Sequence, residues 1–255
     1  MMEGNVKEKL KELTNKKSFH IVMLIIIITV IICTVGMLVL RYHVEGETNM
    51  PFTLSKISVI SSCEGVDKEA VDTKWAFDVY QSNDIYLYID KNSDYEKTEI
   101  IQSVCIDNIQ VEAKEKEKIR IYRPDTEEEK VIFKNKEENR VDKLEYLGDV
   151  ESDLKALKIS NQGGLVAFRC SYDNLTEFKS NEEQILHTEL LKKSNVTLDD
   201  IKVKLTFDLT IKLESKKEYK TTITLDLPNE NVIEDGVASS ERTDLKEVIF
   251  KRVQE

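Results

Sequence analysis

Proline is nearly missing from this sequence, with three in 255 residues, and glycine is scarce at eight. Long flexible linkers are therefore excluded, because they are built from those residues. Cysteine is thinly spread, at positions 33, 63, 105 and 170, with no Cys-x-x-Cys and no repeated spacing. One of the four lies in a long apolar run, and an odd three remain. That is no disulfide framework, and at most one bridge can form. Cys105 and Cys170 lie in alternating apolar stretches, which predicts buried free thiols acting as small hydrophobes.

Histidine, the usual acid–base and metal residue, occurs three times. His20 and His43 bracket the apolar run, so His187 alone belongs to the main body of the chain. No Gly-x-Ser-x-Gly, His-x-x-Glu-His or phosphate-cradling glycine loop is present. No catalytic residue, cofactor or metal ligand is assigned, and a non-enzymatic role is expected. The enzymatic alternative is a wall hydrolase using Asp and Glu pairs from distant segments.

What the chain does have is a run from Ile21 to Leu40, twenty positions without a charge, Asn, Gln or Pro. At about 1.5 Å per residue this spans roughly 30 Å, the thickness of a bilayer's hydrocarbon core. A helix satisfies its own backbone in lipid, and Leu, Ile and Val favour insertion there. Lys7, Lys9, Lys11, Lys16 and Lys17 precede the run, whereas the first residues after it carry Arg41 and Lys56 beside Glu45 and Glu47. Basic residues near a span stay cytoplasmic, which predicts a cytoplasmic amino terminus and everything from about His43 onward outside the cell membrane. The run is longer than a signal-peptide core and no small-x-small site follows it, so an uncleaved signal-anchor is expected. Bulky Ile32 before Cys33 argues against a lipoprotein anchor. The expected divisions are a basic tail at 1–20, a transmembrane helix at 21–41, a juxtamembrane linker at 42–52 and an acidic β-rich domain at 53–255. A boundary between two subdomains, if there are two, falls near 125–145.

Charge separates these parts. The chain carries 37 basic and 48 acidic side chains, and six and three of them fall in residues 1–43. The remainder holds 31 and 45, net −14 against −11 for the whole. An acidic domain of about 200 residues is large enough for one sizeable core and repels nucleic acid.

Period-two alternation dominates that domain. Val203, Leu205, Phe207, Leu209, Ile211 and Leu213 alternate with polar residues, and Ile223, Leu225 and Leu227 resume the pattern before Pro228. These predict a long antiparallel hairpin with one face buried. Shorter strands are predicted at 57–60, 75–80, 85–89, 103–111, 118–122 and 165–172, with a bulge where the phase shifts at Asp107 and Asn108. Ser180 and Glu183 at capping-box spacing, with Ile185, Leu186, Leu190 and Leu191 behind them, predict one amphipathic helix over 180–193. The expected fold is mainly β, an N-terminal transmembrane helix followed by an antiparallel β-sandwich-like domain.

The layout of anchor and β domain, the stretch WAFDVYQSNDIYLYIDKN at 75–92 and a composition rich in Ile, Lys, Glu and Asn resemble uncharacterised single-pass membrane proteins of low-GC Gram-positive, clostridial-type bacteria. The resemblance covers most of the chain and implies no activity.

Four smaller features carry alternative readings. Asp90, Asn92 and Asp94 have the opening spacing of a calcium loop, but Tyr95 stands where glycine belongs and Ile101 where a bidentate Glu belongs, so a turn is expected. The acidic clusters at 127–129 and 137–138 read as solvated loop charge. Asn174 and Asn195 match the glycosylation tripeptide. Trp75, Phe77, Tyr80, Tyr86, Tyr88 and Tyr95 are dense enough to line a binding face, with core packing and strand pairing the alternative. The expected function is an interaction or structural module held at the cell envelope, its partners the lipid bilayer and another envelope or membrane protein. The second expectation is an accessory or sensory subunit signalling through the span.

Overall fold

The computed structural model describes residues 17–124, 130–134, 140–148, 157–228 and 231–253. The chain divides into two compact units, Met1–Thr48 and Asn49–Glu255.

In the first unit, helix α1 spans Lys17–Glu45. Its stretch Phe19–Glu45 is the one helix among the described residues that is long and apolar enough to cross a membrane, and no part of it is buried by the protein. Apolar side chains are exposed all round it, as in Ile21, Leu24, Ile28, Ile32 and Leu40. A helix that is apolar on every face belongs in lipid or a large core. Thr29 and Thr34 donate their hydroxyls to the carbonyls of Ile25 and Val30, so the polar atoms of the run are satisfied within it.

The second unit is mainly β. Strands β1 (Phe52–Asp67), β2 (Trp75–Lys91), β4 (Ile119–Arg123), β5 (Lys130–Lys134), β8 (Gly164–Ser180) and β11 (Val237–Arg242) form one sheet, in the order β11-β1-β2-β8-β4-β5. Strands β3 (Ile101–Ala113), β6 (Leu144–Gly148), β7 (Leu157–Ile159), β9 (Val203–Leu213), β10 (Glu218–Leu227) and β12 (Lys251–Arg252) form the other, in the order β12-β10-β9-β3-β6-β7. The pairings between these strands are antiparallel except β6 with β7, and a lone parallel bridge joins Val131 to Arg140. The sheets share one core, where Phe168 of β8 meets Phe207 of β9 edge to face at 5.3 Å between ring centroids. The Tyr146 hydroxyl of β6 also crosses to donate to the Ala167 carbonyl of β8. This is the sandwich-like architecture that the alternation predicts.

β9 and β10 form the predicted antiparallel hairpin, and the predicted bulge lies in β3, where pairing to β9 shifts between Asp107 and Gln110. Asn108 sits there at φ 51°. The strands predicted at 75–80 and 85–89 are instead one 17-residue strand. The parity of Phe77, Val79, Ile85, Leu87 and Ile89 continues through Gln81 and Asn83, which are buried rather than placed in a turn.

The predicted helix over 180–193 is largely replaced. Ser180 ends β8, paired with Trp75, so the sheet ladder takes the residue expected to cap the helix. A single 3₁₀ turn follows at His187–Glu189, then α2 at Leu190–Lys193. The reciprocal capping box occurs one element later, at α3 (Leu198–Ile201), between Thr197 and Asp200. Leu190 and Leu191 are fully buried. Leu190 lies over Gly65, where an added Cβ would come within 2.6 Å of its Cδ1. Packing against β1, rather than helical amphipathicity, uses these leucines.

Candidate functional site

Three polar arrangements stand out in the β unit, one inside it and one on the outer face of each sheet. The internal one centres on Gln81 and Asn83, both fully buried on β2. Asn83 Nδ2 donates to Gln81 Oε1 at 3.1 Å, and Gln81 Nε2 donates to Asn83 Oδ1 at 3.1 Å. Ser61 Oγ of β1 adds a 2.7 Å bond to Asn83 Oδ1. Gln81 Nε2 also reaches the Ser82 carbonyl, and Asn83 Nδ2 the Cys170 carbonyl of β8. The network ties three adjacent strands beside the register shift between Val79 and Gln81. Every amide donor has a partner, so it costs little in burial and fixes strand alignment.

On the outer face of the second sheet, the β3 bulge turns Asn108 toward Asp208 of β9. Asp208 Oδ2 accepts from Asn108 Nδ2 at 3.0 Å and pairs with Lys220 Nζ at 2.8 Å, while Oδ1 accepts from Thr222 Oγ1 at 2.6 Å. Burial pushes the Asp208 carboxyl up, but these three donors outweigh it and hold it below its ordinary value. Beside it, Glu145 Oε1 of β6 accepts from Ser103 Oγ at 3.1 Å and Cys105 Sγ at 3.4 Å, and Oε2 pairs with Lys143 at 2.7 Å. Burial pushes the Cys105 thiol up to about 11, and the Glu145 charge adds to that. The Glu145 carboxyl is raised by burial but held lower overall by Lys143, Cys105 and Ser103. A nucleophile needs a neighbour that takes its proton. A carboxylate below its usual range is a poor base, so this contact keeps hydroxyl and thiol protonated.

On the outer face of the first sheet, Arg169 of β8 holds Asp84 of β2 in a two-pronged ion pair at 2.7 and 2.8 Å. Lys56 stands 4.2 Å over the Tyr88 ring and also reaches Glu241 of β11. Arg120 stands 4.2 Å over Tyr122. The face thus carries rings and charges that are paired with one another within the chain.

The six aromatic residues grouped by sequence do not share a face. Phe77 is core, stacked between Trp75 and Phe178, whereas Tyr86 and Tyr88 lie on the outer side of β2. Tyr95 belongs to a loop, where it bonds Glu99, itself paired with Lys217 at 2.6 Å. His187 meets the Phe77 ring at 5.2 Å. Asn92 Oδ1 accepts from the Asp94 backbone N–H, which is turn chemistry, while its Nδ2 donates to the Met50 carbonyl ahead of β1. Asn174 and Asn195 occupy left-handed backbone positions, at φ 52° and 56°. Among the described residues no three His, Cys, Asp or Glu side chains converge as a metal site. Cys63, Cys105 and Cys170 are buried free thiols.

Ile21 and Leu40, the predicted ends of the span, both lie within α1. Lys7, Lys9, Lys11 and Lys16 and the acidic clusters at 127–129 and 137–138 lie outside the described residues, and Lys17 is the first residue of α1.

The fold and these surfaces define a class, a two-sheet β protein with one apolar N-terminal helix. No family model, curated protein or solved structure matches the chain.

Proposed function

We propose that this is a single-pass membrane protein whose helix anchors an extracytoplasmic, non-enzymatic interaction or structural module of the cell envelope. The observation that carries the reading is the apolar helix Phe19–Glu45, exposed on every side. Leaving so many large apolar side chains in water is unfavourable, at roughly 25 cal/mol per Å², and lipid removes that cost. The five lysines ahead of it support a cytoplasmic amino terminus.

Carbonate extraction of membranes tests the anchor. The full-length chain is expected to stay in the pellet, and a version starting at Asn49 is expected in the supernatant. Release of the full-length chain by carbonate contradicts an integral span. Exchanging residues 21–40 for an unrelated span separates the two membrane readings, since an anchor retains cross-linking to its partner and a signalling helix loses it.

A further inference from the structure

The geometry points to a second copy of this chain as the partner of β10, paired edge to edge about Thr224. Beyond Lys220, no described strand pairs with the outer side of β10, because β12 covers Tyr219 and Lys220 alone. Two backbone bonds fix which way β10 faces. The Lys217 carbonyl accepts from Leu213, toward β9, and the Glu218 carbonyl accepts from Val253, on the opposite side. Successive residues of a strand alternate sides, so Thr222, Thr224 and Asp226 aim their N–H and C=O groups away from β9. That is an open edge over the segment Thr-Thr-Ile-Thr-Leu-Asp-Leu at 221–227, rich in β-formers and without a lysine to guard it. A groove of about 460 Å³, lined in part by Thr221, Thr222, Ile249 and Lys251, opens beside it.

The edge is complementary to itself. In an antiparallel dimer about a two-fold axis at Thr224, Thr222 faces Asp226 of the other copy and Thr224 faces Thr224. All three outward residues then exchange both backbone bonds. Centring on Ile223 requires the edge of Lys220, which Lys251 already occupies, and centring on Leu225 requires an N–H from Pro228, which has none. On the outer side, Asp226 of one copy falls in line with Lys251 of the other, two positions along. Neither side chain has an ion pair within its own chain among the described residues, so the register supplies each with an opposite charge. The result is a single sheet continuous across both copies.

Directly opposed residues in a hydrogen-bonded pair have Cα atoms about 5.5 Å apart, within the span of a disulfide. The test is oxidative cross-linking of the purified full-length chain in detergent, with Cys33→Ala as background to remove the exposed thiol. Thr224→Cys is expected to give a covalent dimer, and Thr222→Cys only background. A mixture of the Thr222→Cys and Asp226→Cys chains is expected to restore the dimer. Thr224→Pro removes an outward N–H and no backbone bond to β9, losing there only the exposed hydroxyl contact with Thr206 at 3.0 Å, and is expected to keep the circular dichroism spectrum and abolish association in light scattering. Equal cross-linking of Thr224→Cys and Thr222→Cys, or a monomer at every concentration tested, overturns the proposal. So does association undiminished in Thr224→Pro.

Discussion

Gln81 and Asn83 exchange hydrogen bonds through their side-chain amides while fully buried on one strand. A polar pair placed there is tolerated because Ser61 and two backbone carbonyls complete it. Asn83→Leu strands the Ser61 hydroxyl and the Gln81 Oε1 acceptor, leaving Gln81 Nε2 its bond to the Ser82 carbonyl, and is expected to cost about 2–4 kcal/mol. The double variant Gln81→Leu/Asn83→Leu is expected to cost less than the sum of its singles, since it removes both members. Urea denaturation of the four chains measures the coupling.

The three thiols of the β unit should be inert while it is folded. Burial pushes Cys63 and Cys105 to about 11 and Cys170 to about 12. At pH 8 so little thiolate is present, and access is so restricted, that a maleimide is expected to leave all three unmodified. Unfolding in guanidinium should release three reactive thiols. Mass spectrometry before and after denaturation reads the difference, and native modification of Cys105 contradicts the contact with Glu145.

Asp208 sets an acid limb. Its folded carboxyl lies below the ordinary value, so its ion pair and hydrogen bonds contribute stability above the unfolded aspartate range. That contribution is lost as pH falls below about 4 and through the folded value. Asp208→Asn is expected to lower stability at pH 7 and to flatten the decline as pH falls below about 4. Denaturation midpoints across that range test it, and an unchanged acid slope contradicts it.

Gly236 holds φ 66°, and a Cβ there would lie 2.4 Å from backbone atoms of Thr188. Its carbonyl also accepts from the Cys63 N–H, so the position joins three segments. Gly236→Ala is expected to destabilise by about 1–3 kcal/mol, through strain and displacement of the 187–189 turn. A change within about 0.5 kcal/mol in urea denaturation contradicts that packing.

Much of this architecture is written in simple periodicities. The span needs a count of apolar residues alone, and the hairpin from Val203 to Leu227 follows a strict alternation. The bulge at Asn108 shows as a change of phase. The long strand β2 is harder to read, because Gln81 and Asn83 resemble a polar turn between two strands. Their partners lie on β1 and β8, and the unbroken parity from Phe77 to Ile89 is the signal that identifies one strand. The leucines at 190 and 191 fit a helix by spacing, but Ser180 is worth more in the ladder opposite Trp75 than as a cap. The short strands at Leu157–Ile159 and Lys251–Arg252 have too few residues to show a period. The polar clusters around Asp208 and Glu145 come from cross-strand pairing, which depends on sheet order and has no local pattern.

The account stands on where the β unit lies relative to the membrane, and protease accessibility measures that directly. Intact cells or right-side-out vesicles bearing the full-length chain with a carboxyl-terminal tag are treated with protease before and after permeabilisation. Digestion of the tagged domain before permeabilisation is the predicted result and places the acidic β unit outside. Protection until the membrane is opened contradicts the account and places that unit in the cytoplasm.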